Sequence, residues 1–202
     1  MISVFQNTAP VRILPADTRI PGLDSFTLRD FWAWGYSDLL ANTVRPIYAE
    51  FLVTAALGAI DTPREEWADV DVIYESGDGV LSVEVKSAGY LQTWGQKEYS
   101  LIIFDIEKKR RWDPKTNTHD GIPVRAADCY VFCVYEERQD KTPELVLDVN
   151  RWSFYIVSTT DINRMFGDQK KVSLKRIQEL CPEPVRYENL KERIERVTGI
   201  GN

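Results

Sequence analysis

Apolar positions recur along this chain with two periods, and the switches between them mark the predicted elements. Val44, Ile47, Tyr48, Phe51, Leu52, Ala55 and Ala56 recur at helical spacing and predict a helix from about Thr43 to Leu57. Asn42 or Thr43 can cap it, Pro46 suits its first turn, and Gly58 can end it. Upstream, Phe26, Phe31, Trp32, Trp34 and Tyr36 predict a shorter helix or packed loop that covers the core. Two strand-like runs follow, Trp67 to Tyr74 and Val80 to Ser87, joined by the hairpin chemistry of Gly77, Asp78 and Gly79. Ser100 to Ile106, Cys129 to Tyr135 and Trp152 to Ser158 are further apolar strands. Between the first two of these lies a polar loop, KKRRWDPKTNTHDGIPVRAAD, long enough to suggest a functional role. Helices are expected at Ser173 to Leu180 and Tyr187 to Val197. These elements predict one mixed α/β (α+β) domain over residues 1–202, with a core at 43–160 and a C-terminal helical part at 161–198. A central mixed sheet of about five strands, flanked by helices, is expected.

Composition changes this picture little. The 44% hydrophobic and 28% charged residues are ordinary for a folded domain. No run approaches the roughly 20 apolar residues needed to span a bilayer, and the N-terminus lacks a signal-peptide pattern, so a cytoplasmic protein is expected. Cys129, Cys133 and Cys181 form no CxxC pair and read as buried free thiols. The net charge of −6 does not advertise a nucleic-acid binder. Its distribution is less discouraging: residues 164–198 hold nine Lys/Arg against six Asp/Glu, and Lys108, Lys109, Arg110 and Arg111 form a basic run. Either can meet phosphate or simply face solvent.

The candidate chemistry lies on the predicted hairpin. Residues two apart on a strand share a face, so Glu84 and Lys86 point together while Val83 and Val85 point away. Charge in an apolar strand must be paired or bound to metal. On the preceding strand Asp69 and Asp71 share a face, and the hairpin brings one of them beside Glu84. Two converging carboxylates repel, and a divalent cation with hard oxygen ligands is the usual remedy. Such an ion suits phosphodiester hydrolysis, and an adjacent ammonium offsets transition-state charge.

Asp71, followed by Glu84 and Lys86 on the next strand, resembles the active-site motif of the PD-(D/E)xK, restriction-endonuclease-like nucleases. The likeness covers about residues 43–106, including a helix ahead of the hairpin; Val70 stands where the family name has proline. It implies a restriction-endonuclease-like core and a DNA endonuclease using Mg²⁺, with Mn²⁺ able to substitute. Asp71 and Glu84 would bind the metal and Lys86 would activate water, with Asp69 the substitute if the register differs. The resemblance also implies a further metal ligand on the preceding helix. Glu50 is the charged residue between Ile47 and Leu57, and it either joins the site or pairs with Arg45 or another base. Gln92 and Gln96, four apart, would share a helix face near the metal or the DNA backbone, or be a surface amide face. A homodimer that cuts both strands is implied as well.

The rivals are a DNA repair or junction-resolving nuclease and a catalytically inactive DNA-binding module on the same fold. Other chemistry fails to assemble. His119 is the single histidine, with no partner pattern for a Ser-His or Cys-His centre, and no phosphate-binding glycine loop is present.

Overall fold

The computed structural model describes residues 12–66, 68–77, 79–113 and 118–200, with the backbone alone at 111–113 and 118–120. A ribbon of β1 (Arg19–Ile20) and β2 (Leu23–Thr27) leads into α1 (Leu28–Tyr36), which a Thr27–Asp30 capping box starts. No α1 residue is buried, and Trp34 is 85% exposed, so this segment does not cover the core as the aromatic run suggested.

Helix α2 (Arg45–Leu57) carries Pro46 near its start and ends on Gly58 at φ 75°, where only glycine is unstrained. It starts later than the expected Thr43, and Asn42 does not cap it. The Asn42 amide oxygen instead accepts from Arg45 Nη2 at 2.6 Å, because the buried guanidinium needs an acceptor more than the helix end does.

Strands β3 (Val72–Ser76) and β4 (Gly79–Gly89) form the antiparallel hairpin, with Val72 opposite Val83 and Ser76 opposite Gly79. Next come β5 (Ile103–Asp105), β6 (Lys109–Asp113), β7 (Thr118–Val124), β8 (Cys129–Tyr135) and β9 (Trp152–Ser158). Helix α3 (Thr159–Phe166), β10 (Lys171–Ser173), α4 (Leu174–Ile177) and α5 (Leu190–Thr198) complete the chain. The central sheet is mixed and four-stranded in the order β3-β4-β8-β9, with β4 and β8 parallel and the other pairs antiparallel.

The expected count of about five strands was one too many. The run at Ser100 to Ile106 shortens to β5 and pairs with β10 in a separate ribbon, its Ile102, Phe104 and Ile106 facing the sheet rather than joining it. The polar stretch after it is likewise no loop: β6 and β7 pair antiparallel. A polar run lacks the apolar alternation by which strands are read.

The sheet buries both faces, which is why β8 is apolar at every position. On one face Val83, Val85, Val131, Cys133, Phe154 and Ile156 pack against Leu52 and Val53 of α2 and Ile194 of α5. On the other, Ala88, Tyr130, Phe132, Tyr155 and Val157 pack against Phe104, Ile162, Phe166 and Ile177. Cys129, Cys133 and Cys181 are free and buried, and burial pushes the Cys129 thiol up to about 12. Among the described residues no helix is long and apolar enough to cross a membrane.

Candidate active site

The alternation of β4 separates structure from chemistry. Val83 and Val85 enter the layer beneath α2. Glu84 and Lys86 share the opposite face with Ala88, which packs in the second layer. Across the parallel pair Glu84 lies opposite Tyr130 and Lys86 opposite Phe132. Glu84 is therefore 9% exposed although charged, and its carboxylate accepts from Lys86 Nζ at 2.5 Å.

Asp71 sits one residue before β3. Its backbone N–H donates to the Val83 carbonyl at 3.1 Å, which extends the Val72–Val83 register and sets Asp71 opposite Glu84. Where β3 peels away, its Oδ2 takes over the edge of β4 and accepts the N–H of Val85 at 2.7 Å. Burial, and then the charge of Glu84, push the Asp71 carboxyl up to about 6, against the pull of Lys86 and the Val85 N–H. For Lys86, burial works to lower the pKa. The charges of Glu84 and Asp71, the Glu84 hydrogen bond and Asp105 outweigh it, and the ammonium is held above its ordinary value. Asp71, Glu84 and Lys86 thus converge. Asp69 does not take the place of Asp71: it lies exposed in the approach to β3.

Other expected contributors are placed differently. Glu50 is near enough to help raise Asp71, yet Arg64 from the following loop grips its carboxylate, with Nη2 to Oε1 at 3.2 Å and a shorter contact from Nε. Arg45, the partner considered from sequence, instead donates to the Leu40 carbonyl at 3.0 Å and to Asn42.

Gln92 and Gln96 lie in an irregular loop after β4 and not on a helix. The Gln96 Oε1 accepts the Gln92 N–H at 2.6 Å, and its Nε2 donates to the Tyr90 carbonyl at 3.1 Å. Gln92 Nε2 donates to the Gly89 carbonyl at 3.0 Å, so both amides brace the exit of β4. Gly89 and Gly95 bracket this stretch, and side-chain amides substitute for the missing backbone ladder.

Of the basic run, Lys108 pairs with Asp168 at 2.8 Å, Lys109 approaches Glu84 Oε1 at 3.8 Å, and Arg110 is exposed. The side chains of Arg111 and His119 lie outside the described residues. Two contributors were not read from sequence. Arg64 sits in a charged loop where no pattern distinguishes it. Asp105 ends the apolar run of β5, an abrupt acid that was the available signal.

The donor set suits a hard divalent cation. Among the described residues, neither Asp71 Oδ1 nor Glu84 Oε2 accepts a hydrogen bond, so each carboxylate keeps an oxygen for a ligand. No group of three or more His, Cys, Asp or Glu side chains among the described residues is gathered to hold a metal ion. A hard divalent cation held by Asp71 and Glu84 alone would have to complete its shell with water or another ligand. Comparison of the chain with protein-family models, with curated proteins and with solved structures finds no match.

Proposed function

We propose that the chain is a metal-dependent DNA endonuclease with a restriction-endonuclease-like core, hydrolysing phosphodiester bonds at Asp71, Glu84 and Lys86. The observation that carries the reading is the half-buried Asp71 set against the buried Glu84 beside Lys86, with Asp71 pushed up to about 6. Repulsion between two carboxylates at the end of a sheet costs stability, and a bound cation relieves it. The four-stranded mixed sheet, and the position of α2 ahead of the hairpin, support the core assignment.

Asp71 and Glu84 would hold Mg²⁺, with Mn²⁺ able to substitute. When bound, the ion supplies Lewis-acid polarisation of the scissile phosphate and a water of lowered pKa. Lys86 stays protonated because Glu84 and Asp71 surround it, so it can orient the attacking water and offset charge on the pentavalent phosphorus. The Val85 N–H fixes the Asp71 carboxylate, which keeps its free oxygen aimed consistently. A homodimer would present two such sites to the two strands of a duplex.

The test is cleavage of linear duplex DNA by the purified protein as Mg²⁺ or Mn²⁺ is titrated. Cleavage that rises with metal and stops with chelator supports the reading, and inertness at every metal concentration refutes it. A faster reaction on branched DNA would make it a repair or junction-resolving nuclease. A second reading, an inactive DNA-binding module, is favoured by one feature: Lys86 and Lys109 both address Glu84 Oε1, at 2.5 and 3.8 Å. Metal-independent binding without cleavage is its signature.

A further inference from the structure

We infer that the β6–β7 ribbon is a duplex-binding arm that runs along the DNA backbone beside the site. This rests on the phosphodiester reading for its choice of partner. β6 and β7 pair with each other in a sheet of their own, and exposed residues line the described return strand, from Gly121 to Val124. Ile122 is 84% exposed and Val124 42% exposed. A free two-stranded ribbon is marginally stable in water, so its geometry must come from its roots.

Those roots are built strongly. At the entry, Lys108 pairs with Asp168 at 2.8 Å. At the exit, the buried Arg125 donates to the carbonyls of Ile106 (2.7 Å), Gly167 (2.9 Å) and Gln169 (3.0 Å), and to Asn163 Oδ1 (2.6 Å). One guanidinium thereby joins the end of the ribbon to the turn after β5 and to α3. The ribbon is aimed, because its base cannot pivot without breaking that set.

Charge and position identify what it is aimed at. Residues 108–124 hold five Lys/Arg against two Asp, a local +3 in a chain of net −6. An anionic polymer would be drawn to this segment, and the segment's nearness to Glu84 sets it apart from the basic stretch at residues 164–198. Lys109, in the first position of β6, reaches to 3.8 Å from Glu84, so a phosphate bound at the carboxylate site would lie beside the start of the basic strand. The next residue, Arg110, is exposed and free to contact a neighbouring phosphate. A two-stranded ribbon also has a width that the major groove accommodates.

The experiment is fluorescence anisotropy of a labelled mixed-sequence duplex in chelator, with the full chain, Arg110→Glu and a control of equal charge change, Lys175→Glu on α4. Arg110 is exposed, and thermal unfolding would verify that its variant folds. We expect Arg110→Glu to weaken binding about tenfold or more and to lower the salt slope by about 1. Lys175→Glu should change affinity less than about twofold. Equal losses in both variants, or undiminished binding by Arg110→Glu, would overturn the inference. So would capture by anionic vesicles in preference to the duplex. Binding in chelator is independent of turnover. A ribbon effect without metal-dependent cleavage sinks the nuclease reading alone, and cleavage with undiminished binding sinks the ribbon alone.

Discussion

Asp71 accepts the backbone N–H of Val85 at 2.7 Å, and Val85 is the residue between Glu84 and Lys86. The acid is therefore tied to the strand that carries its partners, and not merely placed near them. The spacing of the two carboxylates is then a property of the backbone, so substitutions at the site can be interpreted chemically.

Lys86→Ala should lower kcat for DNA cleavage by about 10²–10³-fold, the scale of losing one preorganised charge in a transition state. Duplex affinity in chelator should stay nearly unchanged, because the lysine faces Glu84 rather than a groove. Single-turnover cleavage together with anisotropy measures both. Full activity of this variant would remove Lys86 from the mechanism.

Asp71→Asn should stabilise the metal-free protein at neutral pH. An unfolded Asp titrates near 3.8 and the folded Asp71 near 6. Below the lower value both states are protonated, and the site adds no penalty. As pH rises through this window the folded carboxylate must ionise against burial and Glu84, and stability falls by up to about 3 kcal/mol. Asparagine retains an acceptor for the Val85 N–H but carries no charge. Chemical denaturation at pH 4, 5, 6 and 7 in chelator checks this: the wild-type decline should shrink in the variant, and parallel curves would contradict it.

Glu50→Gln should lower stability in metal-free buffer by about 0.5–1.5 kcal/mol, since Arg64 loses its charged acceptor. The Mg²⁺ concentration for half-maximal cleavage should not move. A marked rise in that concentration would return Glu50 to the metal site.

Arg125→Lys should cost about 2–4 kcal/mol in thermal unfolding, because an ammonium cannot reproduce a planar fork that donates to four acceptors. A loss as small as that of an exposed residue would mean the ribbon is held by other contacts.

Legibility in the sequence followed burial. The hairpin turn, β4, β8 and β9 were readable because most of their apolar residues face a core, whereas β3 is Val72–Ser76 and not the expected Trp67 to Tyr74. Helix α2 was readable too, since its apolar stripe packs on the same sheet. The exchange of the β5 run out of the sheet was not, because its partner β10 is distant in sequence and three residues long. Helix α3 was overlooked although Ile162, Met165 and Phe166 fall at helical spacing, with Ser158 capping through the Asp161 N–H and Gly167 ending it. Its eight residues are too few for a strong periodic signal. At the site, Asp71, Glu84 and Lys86 were legible because a hairpin and a two-residue repeat fix their relation. The Arg64–Glu50 pair was not, because the fold of an irregular loop decides which cation reaches a half-buried acid.

The alternation along β4 has a consequence for how this protein can change. Val83 and Val85 are needed beneath α2, and Glu84 and Lys86 are needed on the reverse side. One inserted or deleted residue within the strand would turn the carboxylate and ammonium into the aliphatic layer and send valines to the site. Foldability thus acts as a proofreader for the charged pair: a chain that shifts this frame loses the domain along with the arrangement of Glu84 and Lys86. A change of length is tolerable only in the connections on either side of the strand.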